Sequence, residues 1–134
     1  MDNTINKIIN SVKDMTFLAE GEDCSECVER VKNKLGRGRI KTFAMCDNNG
    51  ILKAFYIPLD TKQFSYHTVL VVKIDGVKYV IDITVSPHKV FEYDKYTKVL
   101  KMNNQLQLAE FNGIVGEDII NKIYLKDVSG YKII

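Results

Sequence analysis

The dipeptide Asp75-Gly76 restricts the fold of this chain more than any other feature of its sequence. It lies between two runs rich in Val and Ile, at residues 67–74 and 77–85. An Asp-Gly pair between two such runs is typical of a β-hairpin with a two-residue turn, because both turn residues must adopt a positive φ. The sequence therefore predicts two antiparallel strands whose register is set by the turn.

The predicted register brings a histidine and an aspartate onto one face of the hairpin. If Ile74 pairs with Val77, Asp82 lies opposite Val69, and His67 is the next residue along the same face. Diagonal neighbours on paired strands have Cβ atoms roughly 5–8 Å apart, within reach of a hydrogen bond between imidazole and carboxylate. A carboxylate among β-branched residues is costly to bury unless it is paired. We therefore expect a hydrogen bond between His67 and Asp82.

Two helices are predicted ahead of the sheet. Apolar residues recur at helical spacing over residues 4–12, which is typical of an amphipathic helix. Asp23 is a suitable N-cap for a second helix that begins at Cys24, and Glu26 completes a variant of the capping box. Gly36 is expected to end that helix.

The rest of the chain is predicted to contain further strands and two short helices. In chain order, the other predicted elements are a strand at 39–44, a turn at 47–50, a strand at 51–57, a loop at 58–66, a strand at 91–101, and helices at 106–111 and 117–124. Helices followed by antiparallel strands indicate an α+β fold. A chain of 134 residues is long enough for one domain, which we expect to span residues 1–134.

The composition argues against several classes of protein. The 19 basic and 17 acidic residues give a net charge of +2, and no basic cluster occurs along the sequence, so nucleic acid is not a favoured partner. No apolar run is long enough for a membrane span, and residues 1–4 lack the basic start of a signal peptide. Three cysteines are too few for a disulfide framework.

Two of these cysteines, Cys24 and Cys27, form a Cys-x-x-Cys pair. Structural zinc sites need four ligands and the sequence has no second pair of this kind, so we expect no metal and no other cofactor. The acidic stretch at 18–23 is unlike the buried strand that precedes a thioredoxin motif. A helix N-terminus stabilises a thiolate, so Cys24 is the predicted nucleophile. Cys27, one turn further into the helix, is the alternative nucleophile.

Cysteine, histidine and aspartate in this arrangement are the parts of a catalytic triad. Cys24 would attack a carbonyl or acyl carbon, His67 would act as base and then as acid, and Asp82 would orient the imidazole. Tyr66 and Thr84 flank these positions and are candidates for the substrate pocket. The alternative interpretation is that His67 and Asp82 form a purely structural pair.

Three segments of the chain resemble the papain-fold toxin domains of bacterial polymorphic toxin systems. The segments are residues 23–28, 65–69 and 75–82, and the likeness covers about residues 17–87. Those toxin domains share a Cys-x-x-Cys helix, a Tyr-His strand and an Asp-Gly hairpin that carries a second aspartate. The resemblance implies a papain-like α+β fold, in which N-terminal helices, with the catalytic cysteine at a helix N-terminus, pack on an antiparallel sheet.

The resemblance also implies a function. It implies a papain-like cysteine hydrolase (a protease, a glutamine deamidase or an acyl transferase) that acts as a bacterial toxin effector on a protein substrate. Such a domain is expected to be secreted as the C-terminal part of a larger effector, to act in the cytoplasm of a target cell, and to be neutralised by a cognate immunity protein. Two alternatives stay open: an RNA-cleaving toxin on the same fold, and a non-catalytic binding module.

Overall fold

An antiparallel sheet is the framework of the fold. The computed structural model describes residues 4–15, 24–58, 63–83 and 89–114, with the backbone alone at residues 24 and 25. Within these ranges the strands of the sheet are β1 (Arg39–Cys46), β2 (Leu52–Lys53), β5 (His67–Ile74), β6 (Val77–Ile81), β7 (Val90–Glu92) and β8 (Gln107–Asn112). A smaller sheet pairs β3 (Phe55–Tyr56) with β4 (Gln63–Phe64). The helices of the described part are α1 (Thr4–Val12), α2 (Cys24–Leu35) and α3 (Tyr93–Asn104), so the fold is α+β.

Strand β1 lies inside the sheet. The strand order is β2-β1-β5-β6-β7, and β8 also pairs with β1. Phe43 pairs with both His67 of β5 and Glu110 of β8, so these two strands lie on opposite sides of β1. Residues 42–46 are all buried, as expected for a strand with neighbours on both sides.

The hairpin between β5 and β6 has the predicted register. Ile74 pairs with Val77, and Leu70 pairs with Ile81. Both residues of the turn have positive φ, 51° at Asp75 and 82° at Gly76, as a two-residue turn of type I′ requires. The strand pairing that the turn sequence predicts is therefore confirmed.

Different helices cover the two faces of the sheet. One face, which we call the α2 face, packs against α1 and α2, and its buried cluster contains Ile8, Val12, Met15, Cys27, Val28, Val31, Leu70, Val72, Ile74, Ile81 and Ile83. The other, the α3 face, packs against α3, and its buried cluster contains Phe43, Met45, Phe55, Ile57, Val69, Val71, Val80, Tyr93, Tyr96, Leu100 and Leu108. Side chains alternate along a strand, so successive residues of β5 belong to different faces. None of the helices in the described ranges is long and apolar enough to cross a membrane.

Two predicted elements near the C-terminal end of the described residues are wrong. The strand expected at 91–101 is replaced by a short β7 and by α3, whose buried residues Tyr93, Tyr96 and Leu100 recur at helical spacing. The helix expected at 106–111 is β8, because pairing along β1 outweighs the helix propensity of its Gln, Leu, Ala and Glu residues. The predicted strand at 51–57 is divided between β2 and β3.

Other predictions are confirmed or lie outside the described residues. Helix α1 has the predicted bounds, and α2 begins at Cys24 and ends at Leu35 before Gly36, whose φ is 68°. The predicted N-cap Asp23 and the helix at 117–124 lie outside the described residues.

Candidate active site

The buried pair of His67 and Asp82 is the centre of the candidate site. His67 is the first residue of β5 and Asp82 follows the last residue of β6. The distance between His67 Nε2 and Asp82 Oδ2 is 2.7 Å, and 0% of His67 and 2% of Asp82 are exposed. The Asp82 backbone N–H donates to the carbonyl oxygen of Lys89 at 2.8 Å, which holds the end of β6 against the segment before β7. The hydrogen bond predicted from the hairpin register is therefore present.

Tyr96 is a third member of this cluster. Its hydroxyl donates to the same oxygen, Asp82 Oδ2, at 2.9 Å. Burial, together with the adjacent Asp82 carboxylate, raises the pKa of Tyr96 well above its ordinary value, so the phenol stays neutral and keeps its proton. The ionised carboxylate of Asp82 can only accept hydrogen bonds. When His67 is neutral, its Nε2 therefore carries the ring proton, and Nδ1 is the basic nitrogen.

The sequence reasoning missed Tyr96 because it assigned residues 91–101 to a strand. The signal that could have found it is the spacing of Tyr93, Tyr96 and Leu100, which places all three on one side of a helix. On a strand, Tyr93 and Tyr96 would have pointed to opposite faces.

Aromatic rings surround the polar cluster. The Phe64 ring centroid lies 5.0 Å from that of His67, and the rings of Phe91 and Phe43 lie 5.3 Å and 5.8 Å from Tyr96. Apolar surroundings strengthen the hydrogen bonds to Asp82 and make the loss of either one costly. Phe64 belongs to β4, so the small β3–β4 sheet contributes directly to the packing around His67.

The structure separates Cys27 from His67. Cys27 is 1% exposed and packs on the α2 face with Val28 and Val31, whereas His67 lies on the α3 face. The sheet lies between the two side chains, so the structure does not bring the alternative nucleophile to the imidazole. Neither Cys27 nor Cys46 is in a disulfide bond. The side chain of Cys24 lies outside the described residues, although its backbone begins α2.

The direction of α2 can be read from its C-terminal connection. Residues 36–38 join α2 to β1, and within this connection Arg37 Nη2 donates to the carbonyl oxygen of Lys73 at 2.9 Å. The end of α2 therefore lies near the end of β5. A helix of this length spans about 18 Å, and six residues of strand from Lys73 back to His67 span about 20 Å. Since the short connection reverses the chain into β1, we infer that the first turn of α2 points toward the end of the sheet that carries His67.

The sheet changes partner strand directly beside His67. The pairing of β1 with β5 ends at Phe43 and His67, and the pairing of β1 with β2 begins at Met45 and Lys53. Met45 also pairs with Leu108 of β8, so β2 and β5 follow one another along the same side of β1. His67 thus lies where one ladder stops and another starts, at the end of the sheet where we infer the first turn of α2 to lie.

Of the two predicted substrate-pocket residues, the structure describes only Tyr66. Tyr66 is half-buried and packs against Ala44, Cys46 and Ala109, on the face opposite His67. Thr84 lies outside the described residues.

The chemistry available at this site is that of an oriented base. Asp82 holds the imidazole in one tautomer and can stabilise its protonated form, as a carboxylate does for a general base. In the part of the chain that the structure describes, no group of three or more His, Cys, Asp or Glu side chains is arranged to hold a metal ion. Comparisons with protein-family models, with curated proteins and with solved structures found no match to this chain.

Proposed function

We propose that this chain is a cysteine hydrolase of papain-like type, in which Cys24 is the nucleophile, His67 the general base and Asp82 the residue that orients the imidazole. The observation that carries the proposal is the 2.7 Å hydrogen bond between His67 Nε2 and Asp82 Oδ2. This bond directs the basic Nδ1 away from the carboxylate, as a base that activates a thiol requires. The inferred position of the first turn of α2, at the end of the sheet that carries His67, supports the choice of Cys24.

The reaction would proceed through an acyl-enzyme. His67 Nδ1 takes the proton of the Cys24 thiol, and the thiolate attacks the carbonyl carbon of an amide or acyl substrate. The backbone N–H groups and dipole at the start of α2 stabilise the negative charge on the substrate oxygen. The imidazolium then gives its proton to the leaving group, and a thioester to Cys24 remains. A water molecule, activated by His67, hydrolyses the thioester and restores the thiol.

Tyr96 acts in this scheme as a positioning residue. Its hydrogen bond to Asp82 Oδ2 fixes the carboxylate that in turn fixes His67. Loss of this bond is expected to lower turnover more than it raises KM, because Tyr96 acts through the base and not through substrate.

Substrate access to His67 requires a movement of the side chains that bury it. The imidazole has no exposed surface, and the ring of Phe64 packs on it at 5.0 Å. We therefore propose that Phe64 and the β3–β4 sheet are displaced when substrate binds.

The resemblance to papain-fold toxin domains supports a role as a toxin effector held in check by an immunity protein. Expression of this chain in a bacterium that lacks an immunity protein tests that role. Growth arrest by the wild-type chain, absent in the Cys24→Ala variant, is the expected result. Normal growth with folded wild-type protein in the cell would contradict toxicity toward that host.

A matched pair of cysteine variants tests the nucleophile. Iodoacetamide should label a catalytic thiolate well below the ordinary thiol pKa of about 8.5. We expect this rapid labelling in wild type and in the Cys27→Ser variant, and not in Cys24→Ser. Rapid labelling that persists in Cys24→Ser would refute Cys24 as the nucleophile. Loss of rapid labelling in a folded His67→Gln variant would support His67 as the base that activates the thiol.

A non-catalytic binding module is a second candidate function. Two observations favour it: the complete burial of His67 and the position of the His67–Asp82 pair on the face opposite α2. In a binding module the cluster has only a structural role. The Cys24 thiol would then react with iodoacetamide at the rate of an ordinary thiol, and His67→Gln would change stability without changing that rate.

A further inference from the structure

Five cationic side chains converge on a groove of about 580 Å³ on the α3 face of the sheet. They are Arg37, Arg39, Lys41, Lys73 and Lys78. Val71 and Asn112 also line the groove, and in the part of the chain that the structure describes no carboxylate does. Five of the 19 basic residues of a chain with net charge +2 therefore line one concave surface.

The register of the sheet explains why these charges are close together. Lys73 and Lys78 are a directly opposed pair of β5 and β6. Arg39 pairs with Val71, two residues before Lys73 on the same face of β5. Like charges placed directly opposite one another on a sheet are destabilising. The register thus places like charges next to one another on the α3 face.

Internal partners compensate only part of this charge. Lys41 Nζ lies 3.4 Å from Glu110 Oε1, and Lys78 Nζ lies 4.2 Å from the ring centroid of Tyr93. Among the residues that the structure describes, no ion pair involves Arg39 or Lys73, and both are exposed. Arg39 and Lys73 therefore lie on the solvent-exposed surface of the groove.

We propose that this groove binds a ligand that carries two or more adjacent phosphate groups. Guanidinium and ammonium groups are the donors that phosphate oxygens prefer, and arginine can bind them in a bidentate manner. The volume of the groove is within the range of small-molecule sites, and its concavity suits a compact anion better than the surface of an acidic protein. Adjacent phosphates occur in free polyphosphates and nucleotides and in the backbone of nucleic acid.

The groove is separate from the candidate active site. Lys73 and His67 are at opposite ends of β5, about 20 Å apart along the strand. The proposal does not depend on the proposed hydrolase activity, and it can be tested in a chain whose Cys24 has been replaced.

Binding of three probes to the purified chain tests the proposal: inorganic tripolyphosphate, a short fluorescent single-stranded oligonucleotide, and an acidic peptide of equal charge. The variant is Arg39→Gln with Lys73→Gln. The matched control is Lys7→Gln with Lys98→Gln, which removes the same charge from exposed positions on α1 and α3 outside the groove. We expect tripolyphosphate to bind wild type and the control alike, and to bind the variant about tenfold or more weakly. Binding should also weaken as salt is raised.

The three probes distinguish between the possible sources of the phosphate groups. Tripolyphosphate binding that the groove variant loses supports the proposal and indicates a free polyphosphate source. Oligonucleotide binding that the variant loses, with weak tripolyphosphate binding, supports it and indicates a nucleic-acid backbone. Equal binding by the variant and the control, or binding of the acidic peptide alone, would overturn it.

Thermal unfolding gives a readout that does not depend on a probe's affinity. Relief of like-charge repulsion should leave the groove variant at least as stable as wild type when no ligand is present. Tripolyphosphate should raise the Tm of wild type and of the control, and not that of the variant. A variant that is folded and still stabilised by tripolyphosphate to the wild-type extent contradicts the proposed site.

Discussion

Replacement of Tyr96 by phenylalanine tests the energetics of the buried cluster directly. The change removes the hydroxyl that donates to Asp82 Oδ2 at 2.9 Å and keeps the ring that stacks on Phe43. A hydrogen bond to a charged group contributes about 1.5–3 kcal/mol, and no large cavity is created because the ring remains. We expect the free energy of unfolding to fall by about 2 kcal/mol near neutral pH, and the Tm to fall by about 5–10 °C.

The stability difference between wild type and Tyr96→Phe depends on pH because the pKa of Tyr96 is raised. In the unfolded chain the phenol ionises near its ordinary pKa of about 10, whereas the folded chain retains the proton to higher pH. Because the folded state has the higher pKa, this stabilisation is fully present below about pH 10 and is lost as the pH rises toward the folded-state value. The stability difference between wild type and Tyr96→Phe should therefore be constant up to about pH 10 and smaller above it.

Urea unfolding at a series of pH values, followed by circular dichroism, measures both effects. Tyr56→Phe is the control, because Tyr56 is 42% exposed and the substitution is chemically identical. A loss of stability in Tyr96→Phe no larger than in Tyr56→Phe would refute the argument. A wild-type advantage that increases above pH 10 would also refute it.

Three further substitutions test the packing at Gly38, the shielding of His67 by Phe64, and the role of Asp82. Gly38→Ala should be less stable than Gly36→Ala in urea unfolding. Both glycines have positive φ, which costs an alanine about 1–2 kcal/mol, but of the two only Gly38 would place a Cβ 2.9 Å from a β5 leucine side chain, and this contact adds about 1–3 kcal/mol. Equal stability of the two variants would contradict the close approach. Phe64→Ala should expose His67 to modification by diethylpyrocarbonate, measured by absorbance, and an unchanged modification rate in a folded variant would show that Phe64 does not shield it. In the proposed mechanism the Asp82 carboxylate only orients the base, so Asp82→Asn should retain part of the turnover that His67→Ala abolishes. Equal loss of turnover in both variants would argue against that division of roles.

The parts of the site that the sequence predicted correctly depend on local signals. Asp75-Gly76 determines a turn type, the turn determines a register, and the register places His67 beside Asp82. Each step spans a few residues, so no knowledge of the rest of the fold is needed.

The parts that the sequence did not predict depend on contacts between distant segments. Tyr96 joins the cluster only because α3 packs on the sheet, and a strand assignment for that segment concealed it. The basic groove draws its side chains from the connection after α2 and from β1, β5 and β6, with Asn112 from β8. Its charges are scattered along the sequence, and the strand order that collects them cannot be read from any one segment.

The pairing of β1 with β8 has a consequence for the order of folding. Lys41 pairs with Asn112, so this ladder joins residues that are far apart in the sequence, and such contacts form slowly. During synthesis β1 can pair with β5 as soon as the hairpin has been made, but its other edge stays open until β8 emerges from the ribosome. An open edge beside the buried residues Ala44 and Cys46 is a template for pairing with another chain. The nascent chain should therefore be most prone to aggregation in the interval before β8 is complete.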